Sequence, residues 1–129
     1  MPQKQLTLSI LPETLAICRL EARTPIPDWA INDDSFFSIT GTSDELSIVC
    51  PQDRVPADLP AERDWRALKV GGPFLFSLTG IMASLTAPLA EAEISVFALS
   101  THDTDYVLVK QQHLEEAREL LGTFCAIEE

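Results

Sequence analysis

Positive charge is scarce in this chain. Nine lysines and arginines stand against 20 acidic side chains, a formal net charge of −11 over 129 residues. A nucleic-acid backbone or an anionic bilayer would be repelled unless those few cations clustered, and they do not. Nucleic-acid and membrane-surface binding are therefore excluded as primary functions. Long apolar runs are missing as well. None approaches the roughly 18 residues of a spanning helix, and Met1-Pro2-Gln3-Lys4-Gln5 lacks the apolar core of a secretion signal. A soluble, cytoplasmic protein is expected. Cysteine is limited to Cys18, Cys50 and Cys125, which are odd in number, far apart and in no C-x-x-C spacing. That argues against a disulfide framework and a zinc site and for small buried apolar residues. No cofactor motif is visible: no phosphate loop, dinucleotide fingerprint or Ser-His-Asp order.

What the chain has is apolar residues, 46% of the total, enough for one ordinary domain or two very small ones. Eight of the nine prolines fall in the first 73 residues, so the N-terminal half must be cut into short strands and turns. Strands are expected over Leu6–Leu11 and Leu15–Leu20, a helical turn at Pro27–Ala30, a hairpin over Phe36–Cys50 and a further strand over Trp65–Val70. A shift of sixty positions lays Phe37-Ser38-Ile39-Thr40 on Phe97-Ala98-Leu99-Ser100, and Glu45–Val49 on Asp105–Val109. Both copies spell strand, polar turn, strand, which suggests an internal duplication.

The second half predicts alternating strands and helices. Phe74–Thr79 is expected as strand 1, and Gly80 punctuates it before a helix with Ile81, Leu85, Leu89 and Ala92 on one face. Pro88 should distort that helix by removing the bond to the Ser84 carbonyl. Glu93–Ser100 and Asp105–Lys110 follow as strands 2 and 3. Gln111–Leu121 is a helix with Leu114, Ala117, Leu120 and Leu121 facing inward, and Gly122 is its stop. Thr123–Ile127 is strand 4. The order β-α-β-β-α-β is the ferredoxin-like arrangement, two helices on one face of an antiparallel sheet whose open edge needs a partner.

These residues carry a resemblance. Phe36-Phe37-Ser38-Ile39-Thr40 with Glu45–Cys50, Phe76-Ser77-Leu78-Thr79-Gly80-Ile81, Pro88–Ala92, and Ile94 through Val109 resemble ACT-domain proteins. The most similar group is the small bacterial tandem-ACT proteins related to CASTOR-type amino-acid sensors. The resemblance implies an α+β fold of two tandem ferredoxin-like (ACT, βαββαβ) domains, the N-terminal one degenerate, with antiparallel sheets and helices on one face. The expected domains are residues 1–60 and 61–129. It also implies a regulatory module that holds a small molecule, an amino acid, at an interface between paired domains. A homodimer is expected, with an unidentified protein as a further partner and no cofactor or metal.

Elementary electrostatics suggests where such a ligand sits. Gly80 lets the chain approach a ligand closely, and the free N–H groups of Ile81, Met82 and Ala83 at a helix start suit an α-carboxylate. An ammonium needs a negative acceptor, for which Asp103 and Asp105 are the nearest candidates. The family's ligand loop carries over to Gly80 and Ile81, and its turn after strand 2 to Thr101, His102 and Asp105. In the arginine-sensing relatives an acidic residue near the end of strand 1 holds the guanidinium. The aligned position here is Leu78, which favours a smaller or less charged ligand side chain. Two alternatives remain at this level: a pairing domain without ligand, in which the aspartates only cap a turn, and an enzyme using Asp103 or Asp105 as general base.

Overall fold

The computed structural model describes residues 6–32, 34–71 and 80–129. Among them the fold is α+β, with eight strands and two α-helices. The strands are β1 (Leu6–Ile10), β2 (Leu15–Glu21), β3 (Ser38–Gly41), β4 (Glu45–Pro51), β5 (Glu62–Gly71), β6 (Val96–Ser100), β7 (Asp105–Lys110) and β8 (Cys125–Glu128); the helices are α1 (Ile81–Glu91) and α2 (Leu114–Leu121). The chain forms two compact units, one of Met1–Pro12 with Arg66–Glu129 and the other of Glu13–Trp65. The sequence put a single division near residue 60. The observed units are discontinuous in the chain because β1 pairs within the sheet of the C-terminal half.

In that larger unit β1 runs antiparallel to β5, Thr7 opposite Gly71 through Ile10 opposite Leu68. On its other side β1 runs parallel to β8, Leu6 opposite Cys125 through Ser9 opposite Glu128. β7 lies beside β5, and β6 pairs antiparallel with β7. The order is thus β8-β1-β5-β7-β6, a mixed sheet rather than the antiparallel four-strand sheet expected. An N-terminal strand has taken the place next to β5 that β8 would fill in a plain βαββαβ domain. β5 is the described strand that precedes α1, and the expected strand over Phe74–Thr79 lies outside the described residues. Leu8, Leu68, Val70, Val107 and Val109 from the sheet meet Leu85 and Leu89 of α1 and Leu114, Ala117 and Leu121 of α2 in one core. The helical spacing of these residues put them on one face, and burying that face is what holds both short helices.

Helix α1 spans Pro88 without a break. It ends in a Schellman motif: Ile94 N–H donates to the Leu89 carbonyl and Glu93 N–H to the Ala90 carbonyl, each at 2.9 Å. Glu93 takes the left-handed φ of 62° that this motif requires, and Ile94 and Leu89 are both buried. Residues 93 and 94 are thereby spent on stopping the helix, so β6 begins at Val96 and not at Glu93. Helix α2 is preceded by a single 3-10 turn over Gln111–His113. Gly122 sits at its end with an ordinary right-handed φ of −65°. A Cβ there would come within 2.8 Å of the Arg118 carbonyl oxygen, so lack of a side chain, not positive φ, is what the position uses.

The smaller unit is built as β3-β4-β2 with the first residues of β5 at the edge of β2. A 3-10 turn, Asp28–Ala30, stands between β2 and β3, and another, Gln52–Arg54, between β4 and β5. Among its described residues there is no α-helix. Its core gathers Ala16, Cys18, Ala30, Leu46, Ile48, Cys50 and Val55, with Trp29 packed against it.

Its hairpin answers to the one in the larger unit. Ser38 faces Val49 and Phe97 faces Leu108, so each residue has its counterpart 59 positions on. The sixty-residue shift seen in the sequence is one too many for both strands: Gly41 faces Leu46 as Ser100 faces Asp105, so the two connections match residue for residue. Both turns are closed by a threonine. Thr42 N–H donates to the Glu45 carbonyl at 2.9 Å, and Thr101 N–H to that of Thr104 at 2.8 Å. In each, the threonine hydroxyl accepts a backbone N–H from the residue three positions on.

All three cysteines are buried and free. Burial pushes the Cys18 thiol up, partly offset by Arg63, and pushes Cys50, beside Cys18, from 9.0 to about 11. The folded chain holds the Cys50 proton up to about pH 11, whereas the unfolded thiol releases it near 9.0. This contribution to stability is intact below that window and is lost as pH rises through it. Urea unfolding at pH 8 and pH 10.5 should show a lower midpoint at the higher pH, and Cys50→Ala should reduce the difference. The left-handed Glu93 generates a second expectation: Glu93→Gly should stabilise the chain by about 1 kcal/mol, read as a higher thermal midpoint.

Candidate functional site

Gly80 has φ 75° and ψ 9°, the left-handed region, immediately before α1. A glycine reaches this conformation without strain, and among the described residues, its chain neighbours aside, no atom lies within 4 Å of where its Cβ would stand. The first helical bond joins Ser84 N–H to the Gly80 carbonyl at 2.9 Å, so the N–H groups of Ile81, Met82 and Ala83 precede the ladder. Among the described residues no side chain caps them, and the first turn contains no acidic residue. Ile81 and Met82 are half-buried against the core, while Gly80 is exposed. The sequence expected a helix start rich in unused donors, and the local geometry has that form. Leu78 lies outside the described residues.

The other expected residues sit at the tip of the β6–β7 hairpin. Thr101, His102 and Asp103 are exposed and Asp105 is half-buried. His102 Nδ1 lies 3.0 Å from Asp103 Oδ1, with both side chains 90% exposed. A pair so open to water contributes little energy and leaves Asp103 a turn residue. Asp105 is different. It opens β7 opposite Ser100, and its Oδ1 accepts the Ser100 hydroxyl at 2.8 Å. One carboxylate oxygen is thereby fixed in direction.

Thr104, a residue that sequence reasoning missed, fixes the whole tip. It is the one polar side chain buried among the described residues, and its hydroxyl donates to the Val70 carbonyl near the end of β5. A buried hydroxyl must find an acceptor, and this one ties the turn to the strand whose chain continues toward α1. Its signal in the sequence was slight: a threonine between two aspartates reads as another solvated turn residue. The turn and the helix start belong to the same compact unit. Thr101, His102, Asp103 and Asp105 share the hairpin tip, and Gly80, Ile81 and Met82 share the start of α1. Among the described residues no three His, Cys, Asp or Glu side chains gather closely enough to hold a metal ion.

Residues 61–122 match the family model described as the ACT domain, and residues 13–58 match a model described as an N-terminal domain. The human putative protein CASTOR3P is 39% identical over 93 residues, a match taking in 61% of this chain and 56% of that protein. The Bos taurus cytosolic arginine sensor for mTORC1 subunit 1 is 35% identical over 91 residues, 61% of this chain and 27% of the sensor. The chain therefore spans about half the length of the first relative and about a quarter of the second. A crystal structure of an Agrobacterium tumefaciens protein is similar over 98% of this chain and 93% of its own, at 41% identity and a TM-score of 0.90. An aspartate kinase of Clostridium acetobutylicum shares the fold alone, at 10% identity and a TM-score of 0.66 over 91% of this chain and 34% of the kinase. Laid over β5 through α2, residues 61–122 belong to the ACT-domain family, and CASTOR-type arginine sensors are among the chain's relatives.

Proposed function

We propose that the chain is a regulatory amino-acid-binding module of the cytoplasm, working as a homodimer and signalling to a protein target. In this proposal the ligand's α-carboxylate rests on the amides of Ile81 and Met82 beside Gly80. Its ammonium meets Asp105, with Thr101, His102 and Asp103 along the rim, at a contact between ACT-type domains. The observation that carries it is the start of α1: a left-handed glycine, no side-chain cap and no acid in the first turn. Such an end has no anionic group among the described residues and suits one brought by a ligand.

Tandem organisation belongs to the same proposal. The smaller unit's order, β2, 3-10 turn, β3, β4, 3-10 turn, β5, repeats the order β5, α1, β6, β7, α2, β8 with each helix reduced to one turn. With the 59-residue hairpin correspondence, that supports a degenerate ACT-like domain over residues 1–60 beside an ACT domain over 61–129. The role is binding, not catalysis. The relatives are named as sensors, and a carboxylate clasped by Ser100 is held as an acceptor more than as a mobile base.

The Ser100–Asp105 bond favours one rival, a pairing domain in which Asp105 merely clasps the hairpin. A thermal-shift screen over the twenty amino acids separates the two. Saturable stabilisation by at least one is expected, and silence across the panel supports the rival. Asp105→Ala should weaken the ligand at least about tenfold in calorimetry, the scale of a charge-assisted hydrogen bond. Unchanged affinity would remove Asp105 from the site. Thr104→Val should lower stability by about 1–3 kcal/mol by leaving the Val70 carbonyl unpaired, and should weaken the ligand without touching it. Light scattering should find a dimer; a monomer at high concentration, with and without ligand, would reject the pairing.

A further inference from the structure

The smaller unit contains a cavity of about 420 Å³ that the proposed amino-acid site does not use. Glu13, Thr14, Ser35, Gln52, Asp53 and Arg54 line it, together with Pro51. Its size falls within the range of small-molecule sites.

Two features distinguish it from an ordinary surface hollow. The first is a fixed floor. Gln52 N–H donates to the Thr14 carbonyl at 2.9 Å. Its side-chain Oε1 accepts Asp64 N–H at 2.7 Å, and its Nε2 donates to Asp64 Oδ1 at 3.1 Å. Both bonds hold Asp64 at a left-handed φ of 68°, a conformation that costs energy for a residue with a side chain. Arg63 reaches the Gln52 carbonyl from the other side at 3.5 Å. The second feature is charge left unspent. Among the described residues the Glu13 and Asp53 carboxylates have no hydrogen-bond or ion-pair partner. Among the described residues Arg54 uses only its Nε, on the Trp29 carbonyl at 3.3 Å. That bond anchors the guanidinium, and both of its Nη groups are without a partner among the described residues. Two carboxylate residues, an arginine and the hydroxyl residues Thr14 and Ser35 thus line one cavity, with no bond among the charged groups.

We propose that this cavity is a ligand site for a small zwitterion, its carboxylate paired with Arg54 and its ammonium with Glu13 and Asp53. Guanidinium and carboxylate match in planar, two-bond geometry, and the hydroxyls serve a polar side chain or a peptide group. The site is complete within the smaller unit and does not rest on the role of Gly80 or Asp105.

Amide chemical shifts test it on the full chain, with the twenty free amino acids and glycyl dipeptides as probes and methylammonium and acetate as single-charge controls. At least one zwitterion should shift the amides of Thr14, Ser35 and Gln52 saturably below about 10 mM. Glu13→Gln and Arg54→Met should each weaken that probe at least about tenfold, with unchanged circular dichroism. Asp105→Ala should leave it within about twofold. The proposal is overturned if no zwitterion saturates these three shifts, if methylammonium or acetate binds as well as the best zwitterion, or if both cavity variants retain affinity. Shifts at Ile81, Met82 and Asp105 read the other site in the same spectra, so the failure of one does not hide the failure of the other.

Discussion

The pairing of β1 with β5 is the contact on which the ACT-bearing unit depends. The five-residue strand β1 fills the position beside β5 that β8 would take in a plain βαββαβ domain, and β8 makes its ladder to β1 instead. It also brings Leu8 and Ile10 to the core that buries α1 and α2. At roughly 25 cal/mol per Å² of apolar surface, two such side chains contribute a few kcal/mol, comparable to the margin by which a small domain is stable. The outermost N-terminal strand is thus an internal part of the sheet.

From that sheet the candidate site follows by two local devices. One is a glycine in the left-handed region, which starts α1 without a cap and leaves three amides ahead of the helical ladder. The other is the buried Thr104 hydroxyl on the Val70 carbonyl, which fixes the acidic hairpin tip to the end of β5. Direction is supplied by hydrogen bonds, Ser100 to Asp105 and Thr104 to Val70, each made with the strand alongside. The two threonine-closed turns show the same solution used in both units, with the same number of residues between the closing pairs.

The smaller unit reaches a core by another route. Its connections are cut short by proline and closed by single 3-10 turns, so small residues, Ala16, Ala30, Cys18 and Cys50, fill the space over the sheet that longer side chains of a helix would otherwise fill. Arg63 then holds the loop over residues 52–59 by donating to the carbonyls of Gln52, Pro56 and Leu59. Polar bonds here take over part of the ordering that helix packing performs in the larger unit.

Periodicity was legible wherever an element buries one face by itself. Leu85 and Leu89 four apart marked α1, Leu114, Ala117 and Leu121 marked α2, and β-branched alternation marked β4 and β7, because these spacings reflect the helix and strand repeats directly. Buried cysteines and the glycine before α1 were legible for the same reason: residue chemistry alone narrows what they can do. Register, neighbours and exact ends were not. That β1 would lie between β5 and β8, that Glu93 and Ile94 would close a helix rather than open a strand, and that Thr104 would be buried while Asp103 beside it stays in water all depend on atoms distant along the chain. A sequence window contains the donor or the apolar face, and only the folded chain supplies the acceptor or the surface that it meets.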